Sequence, residues 1–123
     1  MRIVLTTLLM LATTTAWADW IKMSETDTAV IYLDPATHRV DGNLRGVWEL
    51  HDLKVRDPDG ELSRRSLREF DCKGDRLRIL SMSTHSGPMA TGKLLWSGND
   101  PSQWQYIAPG TSGASLLRAV CGR

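Results

Sequence analysis

The residue pattern with the most direct chemical meaning lies at residues 87–93, where the GxxxxGK spacing matches part of a phosphate-binding loop. Such a loop continues with a serine or threonine whose hydroxyl binds Mg²⁺, but Leu94 stands at that position. It also requires a helix that begins at the loop and points its backbone N–H groups at the phosphate. Residues 93–96 have the pattern of a strand instead. The sequence therefore predicts a hairpin loop here and not a nucleotide site.

The histidines and serines lack the spacing that metal binding or nucleophilic catalysis requires. His38, His51 and His85 are far apart in sequence, whereas a zinc site needs three or four convergent ligands. Residues 110–113 are one position too short for the G-x-S-x-G turn of serine hydrolases, and Ser112 is better placed to cap a helix. Because no nucleophile, base and oxyanion donor occur together, we expect no enzymatic activity, no metal and no cofactor.

Four arginines form the surface feature with the clearest potential for binding. They are Arg64, Arg68, Arg76 and Arg78, and they fall in two consecutive predicted strands. Residues two or four apart share a face of a strand, so the pairs could line up across a hairpin. Such a stripe could bind sulfate or carboxylate groups through the planar guanidinium fork. The alternative is a solvated sheet face that is balanced by neighbouring acidic residues.

The chain has two cysteines, Cys72 and Cys121, which are too far apart in sequence for a local metal chelate. In an oxidising compartment an isolated pair usually forms a disulfide, and two buried reduced thiols are the alternative. The compartment is indicated by the amino terminus, where Arg2 precedes the uncharged apolar residues 3–12 and a small-x-small pattern at residues 16–18. Residues 3–18 are too few for the roughly 20 apolar residues of a transmembrane helix.

We therefore expect residues 1–18 to be a signal peptide that is cleaved between Ala18 and Asp19, leaving residues 19–123 as one domain. The chain has 15 basic and 14 acidic residues, and Arg2 is the one charged residue before the cleavage point, so the mature part is neutral. This charge does not indicate nucleic acid as a partner. No cysteine stands at the new amino terminus, so we expect an exported protein without a lipid anchor, in the periplasm, at the cell surface or secreted.

The elements that must position these residues are mainly strands. Short alternating segments between turn residues predict an antiparallel sheet of about six strands, at residues 20–23, 29–33, 44–55, 62–72, 76–85 and 93–96. Asp34 and Pro35 should end the second strand, because proline has no N–H for the ladder. One face of the third strand should be buried and the other half exposed. Trp48, Trp96 and Trp104 are expected in the core.

The last segment changes to a helical period. Thr111 or Ser112 can cap the helix, and Leu116, Leu117 and Val120 then fall on one apolar side. A helix this short is stable only when it is packed against something else. We therefore predict an α+β fold, mainly β, in which one C-terminal helix is tethered to the sheet by the disulfide.

A family resemblance accompanies this pattern. The residues that carry it are Trp20, residues 32–35, residues 47–50, Asp71 with Cys72, residues 86–89, Trp104, Pro109 with Gly110, and Val120 with Cys121. Their order resembles the surface-adhesin protein E family over residues 19–121. The resemblance implies a Gram-negative envelope protein that binds host extracellular-matrix or serum proteins, with Cys72 and Cys121 as the matching disulfide pair. The family's adhesin is a lipoprotein, so the alternative is a periplasmic structural or assembly component without a host ligand.

Overall fold

A computed structural model describes residues 19–122 of the chain. Within this range the structure has one antiparallel sheet, one short 3₁₀ turn at Pro88–Ala90 and one α-helix. The strands are β1 Ile21–Glu25, β2 Ala29–Asp41, β3 Leu44–Leu53, β4 Ser63–Asp71, β5 Arg76–His85, β6 Leu94–Gly98 and β7 Gln105–Tyr106, and the helix is α1 Ser112–Cys121.

The sheet is a meander in which strands β1 to β6 lie in the order of the sequence. Each of these strands pairs antiparallel with the next one. The two-residue strand β7 pairs with the beginning of β5, where Arg76 lies opposite Tyr106. The predicted α+β fold, mainly β with one C-terminal helix, is confirmed, although the sequence analysis missed β7.

The predicted end of the second strand at Asp34 and Pro35 is wrong, because β2 continues to Asp41. The pairing of β2 with β3 shifts register between Asp34 and Arg39, so the proline stands in an irregular stretch of the ladder. The hydroxyl of Thr37 bridges this stretch, since it donates to the Asp34 carbonyl at 2.6 Å and accepts from the Trp48 N–H at 3.0 Å. The Thr37 hydroxyl thus gives the Trp48 N–H a partner where the backbone pairing is interrupted.

The main core lies between α1 and the part of the sheet nearest to the Cys72 turn. Buried apolar residues of the helix pack against buried apolar residues of four strands. The side of the sheet that α1 covers is the helix face. The members are Ile31, Leu33, Val47, Phe70, Leu77, Leu116, Leu117 and Val120. The Thr111 side chain accepts from the Ala114 N–H at the start of the helix, as predicted for one of two candidate caps.

The opposite face of the sheet is also covered at its centre. The loop between β5 and β6 folds over it, because Ser63 donates its hydroxyl to the Gly87 carbonyl at 2.7 Å and accepts from the Ala90 N–H at 2.9 Å. On this face the Leu50 side chain is completely buried, while Glu49 is completely buried on the helix face. The expectation that one face of β3 would be half exposed is therefore wrong at the middle of the strand.

Candidate functional site

The disulfide joins Cys72, directly after β4, to Cys121 at the end of α1, with 5.7 Å between the two Cα atoms. This linkage holds the helix across the sheet, as the sequence predicted. The other predicted processing position is the junction of Ala18 and Asp19, of which Ala18 lies outside the described residues. Within residues 19–122 no helix has the length and apolar character that crossing a membrane requires.

The four predicted arginines do not form one stripe. In the β4–β5 register, Asp71 lies opposite Arg76 and Glu69 lies opposite Arg78. Cross-strand partners share a face, whereas neighbours along a strand point to opposite faces. Arg64 and Arg68 therefore lie on the helix face, and Arg76 and Arg78 lie on the other. Anion binding by either pair stays a prediction.

The two arginines on the face opposite the helix face contact carboxylates and one indole ring. Arg76 Nε lies 2.8 Å from Asp71 Oδ2, and Arg78 Nη2 lies 2.7 Å from Glu69 Oε1. Both guanidinium groups stand 4.5 Å from the centre of the Trp104 ring. The hydrogen bond from Arg76 and that from the Gly74 N–H lower the pKa of the Asp71 carboxyl. Because the carboxylates and the ring already occupy these side chains, an added anion would have to compete with them.

The arginines on the helix face are paired as well. Arg64 Nη2 lies 2.6 Å from Glu61 Oε1, and Arg68 Nε lies 3.0 Å from Glu49 Oε2. The Arg68 contact is an ion pair without hydrogen-bond geometry, whereas the other oxygen of Glu49 accepts a hydrogen bond from His51 Nε2. A buried carboxylate is costly unless it is compensated by partners of this kind. These side chains therefore form an ion network within the sheet. Among residues 19–122, no nucleophilic side chain makes a hydrogen bond with the His51 imidazole.

The histidines are kept apart by the topology. Strand β4 lies between β3, which carries His51, and β5, which carries His85. His85 shares a hydrogen bond of 2.9 Å with Ser83, and burial followed by the charge of Arg65 lowers the pKa of its imidazole. Residues 19–122 contain no group of histidine, cysteine, aspartate or glutamate side chains that could hold a metal ion.

Among residues 19–122 the most exposed apolar segment is β6, which the sequence analysis did not single out. Leu94, Leu95 and Trp96 are 60%, 43% and 53% exposed, so the prediction that Trp96 is a core residue is wrong. Trp48 and Trp104 are partly buried, and Arg65 stacks on the Trp48 ring at 4.2 Å from its centre. The residue types of β6 alone gave no sign of this exposure, because it follows from the position of the strand at the end of the sheet.

Comparison with known protein families identifies the family of this chain. The family model described as Surface-adhesin protein E matches residues 20–122. The chain belongs to this family. No curated protein sequence matched the chain at a significant level.

Solved structures with little sequence identity to this chain have the same fold. Crystal form II of Haemophilus influenzae protein E has a TM-score of 0.66 and 13% identity, over 89% of this chain and 91% of that one. Protein E from non-typeable Haemophilus influenzae has a TM-score of 0.59 and 14% identity, over 89% of this chain and 79% of that one. At such low identity the likeness establishes the fold alone, and it agrees with the fold expected from the family resemblance.

Proposed function

We propose that the mature chain is exported and acts at the cell surface as an adhesin for a host extracellular-matrix or serum protein. Membership of the surface-adhesin protein E family gives the general direction of this proposal. The disulfide supports export, because such bonds persist in oxidising compartments. The proposed activity is binding and not catalysis, and the signal peptide at residues 1–18 is part of the same proposal.

The observation that carries the proposal is the contrast between the two ends of the sheet. Both end strands have a register shift in their ladders, but β1 also carries the charged residues Lys22 and Glu25. Charges on an edge strand keep it from pairing with other chains. Strand β6, at the other end, has no charged residue between Leu94 and Gly98 and exposes three large apolar side chains. Exposed apolar surface at a free strand edge is a feature of protein-binding sites.

The test has two parts, because binding and location are separate claims. The purified mature chain should bind saturably to at least one of an immobilised set of matrix and serum proteins, including laminin and vitronectin, at physiological salt. Protease treatment of intact cells should remove the chain if it is at the surface. Protection from the protease together with an absence of saturable binding would contradict the adhesin role and favour a periplasmic assembly component.

A further inference from the structure

A groove of about 420 Å³ runs along the helix face beside β6, outside the area that α1 covers. Its lining combines the apolar side chains of Met82, Leu95 and Trp96 with the charged side chains of Asp59, Glu61 and Arg64. The groove thus brings apolar and acidic side chains together next to a free strand edge. Neither the disulfide nor the ion network of Glu49 accounts for this arrangement.

The apolar side of the groove is produced by a bulge in β6. Trp96 pairs with Thr84 and Leu94 pairs with His85, so Leu95 is an extra residue between two adjacent pairs. Bulges redirect side chains, and here both Leu95 and Trp96 line the groove. The Trp96 ring lies across Gly98, since a Cβ built on that glycine would be only 2.7 Å from Trp96 Cη2. The exposed indole therefore packs against the backbone of Gly98.

The lining of the groove carries more negative than positive charge. Arg64 is the one basic residue that lines it, and this side chain is already paired with Glu61 at 2.6 Å and lies 3.7 Å from Asp57. Asp59 is exposed, and its carboxylate makes no hydrogen bond or ion pair within residues 19–122. One carboxylate is thus available to a cation within the same groove as an exposed aromatic ring, and aromatic faces attract cations.

The backbone beside the groove is available too. Strand β6 pairs with β5 on one side, and no other strand of the described part of the chain pairs with its outer edge. An extended peptide can add to such an edge by main-chain hydrogen bonds, and its alternate side chains then point to one face of the sheet. A residue that is added in the row of Trp96 would direct its side chain toward the groove.

We infer that the β6 edge and its groove bind an extended, basic segment of a partner protein. The segment pairs with β6 through its backbone, and a lysine or arginine side chain lies over the Trp96 ring with its charge near Asp59. This assignment rests on the proposed function, because it presupposes a protein partner, and it defines the partner's chemistry at the contact. The inferred ligand is cationic, whereas the arginine pattern in the sequence suggested an anionic ligand.

The test uses a fluorescein-labelled peptide of alternating lysine and valine, with its glutamate–valine analogue as the charge control. A second control carries N-methyl groups on alternate residues, which removes the donors of one strand edge. At about 0.15 M salt, where long-range attraction is screened, we expect only the unmodified basic peptide to bind saturably. Hydrogen exchange should slow at the outward-facing amides of β6 and not at those of β1.

Matched variants of the protein locate the contact. We expect Trp96→Ala to weaken peptide binding about tenfold and Asp59→Asn to weaken it about threefold, given the usual range for cation–aromatic contacts and exposed ion pairs. Tyr106→Ala is the aromatic control, since that ring is 84% exposed on β7, outside the groove. Asp41→Asn is the carboxylate control at the exposed end of β2. Both controls should leave the peptide affinity unchanged.

Three results would overturn the inference. The first is equal affinity for the basic and acidic peptides, or no saturation by the basic peptide below about 1 mM. The second is binding that Trp96→Ala leaves unchanged. The third is a dimer of the peptide-free chain, dissociated by Trp96→Ala, which would make a second copy the occupant of the edge.

The same variants test the proposed adhesin function separately from the contact at β6. A matrix or serum protein that binds the Trp96→Ala and Asp59→Asn variants as tightly as the unaltered chain leaves the adhesin role standing and refutes only this contact. Specific peptide binding in the absence of any matrix or serum ligand supports the contact and refutes the adhesin role.

Discussion

Arg68 Nε lies 3.0 Å from Oε2 of Glu49, a carboxylate with no solvent-exposed surface. His51 contacts the other oxygen of the same carboxylate. The ion pair therefore links β3 to β4 inside the helix face, and it lies next to Val47 of the core because Val47 and Arg68 are cross-strand partners. Removing one member of a buried pair leaves an uncompensated charge, whereas removing both members costs much less.

We expect Arg68→Met to lower the free energy of unfolding by about 3 kcal/mol or more. Adding Glu49→Gln to that variant should restore more than half of the loss, because the buried charge is then gone. Urea denaturation measures both effects. Arg39→Met, at an exposed position, serves as the control and should change stability by about 0.5 kcal/mol or less. A double variant as unstable as Arg68→Met alone would show that packing and not charge explains the effect.

Replacing both Cys72 and Cys121 by serine should lower the free energy of unfolding by about 4 kcal/mol, because the bond closes a loop with a sequence separation of 49. The helix should be affected first, since a segment of this length is unstable when it is not held against the sheet. Urea denaturation and helical circular dichroism are the measurements. A reductant should destabilise the unaltered chain and leave the serine variant as it was. Equal unfolding midpoints for the two proteins would contradict the prediction.

Asp71 should make the fold sensitive to acid. The Arg76 side chain holds the pKa of this carboxyl below its ordinary value of 3.8, so the unfolded chain takes up the proton first as the pH falls. The stabilisation is fully present above about pH 3.8 and is lost as the pH falls through the lower pKa of the folded state.

Asp71→Asn should therefore destabilise the protein at neutral pH, and the difference from the unaltered chain should disappear in acid. Urea midpoints over a series of pH values give the comparison. Asp100→Asn, at an exposed position, is the control and should show no such pH-dependent difference. A constant difference across the whole series would mean that Asp71 acts through its shape and hydrogen bonds and not through its charge.

Gly98→Ala tests whether the Trp96 ring has a fixed position. The new methyl group would lie 2.7 Å from Cη2 and 2.9 Å from Cζ2 of the indole, so the ring must move away. Because an exposed ring can move into solvent, stability should change by only about 0.5 kcal/mol. The near-ultraviolet circular dichroism of Trp96 should decrease, as judged against Trp96→Phe, and binding of the basic peptide should weaken.

Gly46→Ala is the matched control, since a Cβ at that strand position meets no atom within 4 Å. It should leave the tryptophan signal and the peptide affinity unchanged. An unaltered Trp96 signal in Gly98→Ala would show that the ring does not rest on the glycine in solution.

The sequence by itself determined the types of the main elements, because these depend on short-range chemistry. Alternation and turn residues specified six of the strands, and the change of period near Thr111 specified the helix. Within one strand the face of each side chain also follows from counting by two, so the pairing of Arg64 with Arg68 and of Arg76 with Arg78 was foreseeable. The isolated pair of cysteines predicted the tether together with the export signal that indicated an oxidising compartment.

Tertiary structure decided how these elements face one another. The register between β4 and β5 places Arg78 opposite Glu69, and so separates the two arginine pairs onto opposite faces. The position of β6 at the end of the sheet exposes Trp96, although the same residue types in a central strand would be buried. The irregular pairing after Asp34 allows β2 to pass through a proline. Local sequence fixes the direction of a side chain relative to its own strand, but cross-strand pairing and the covering elements fix what that side chain meets.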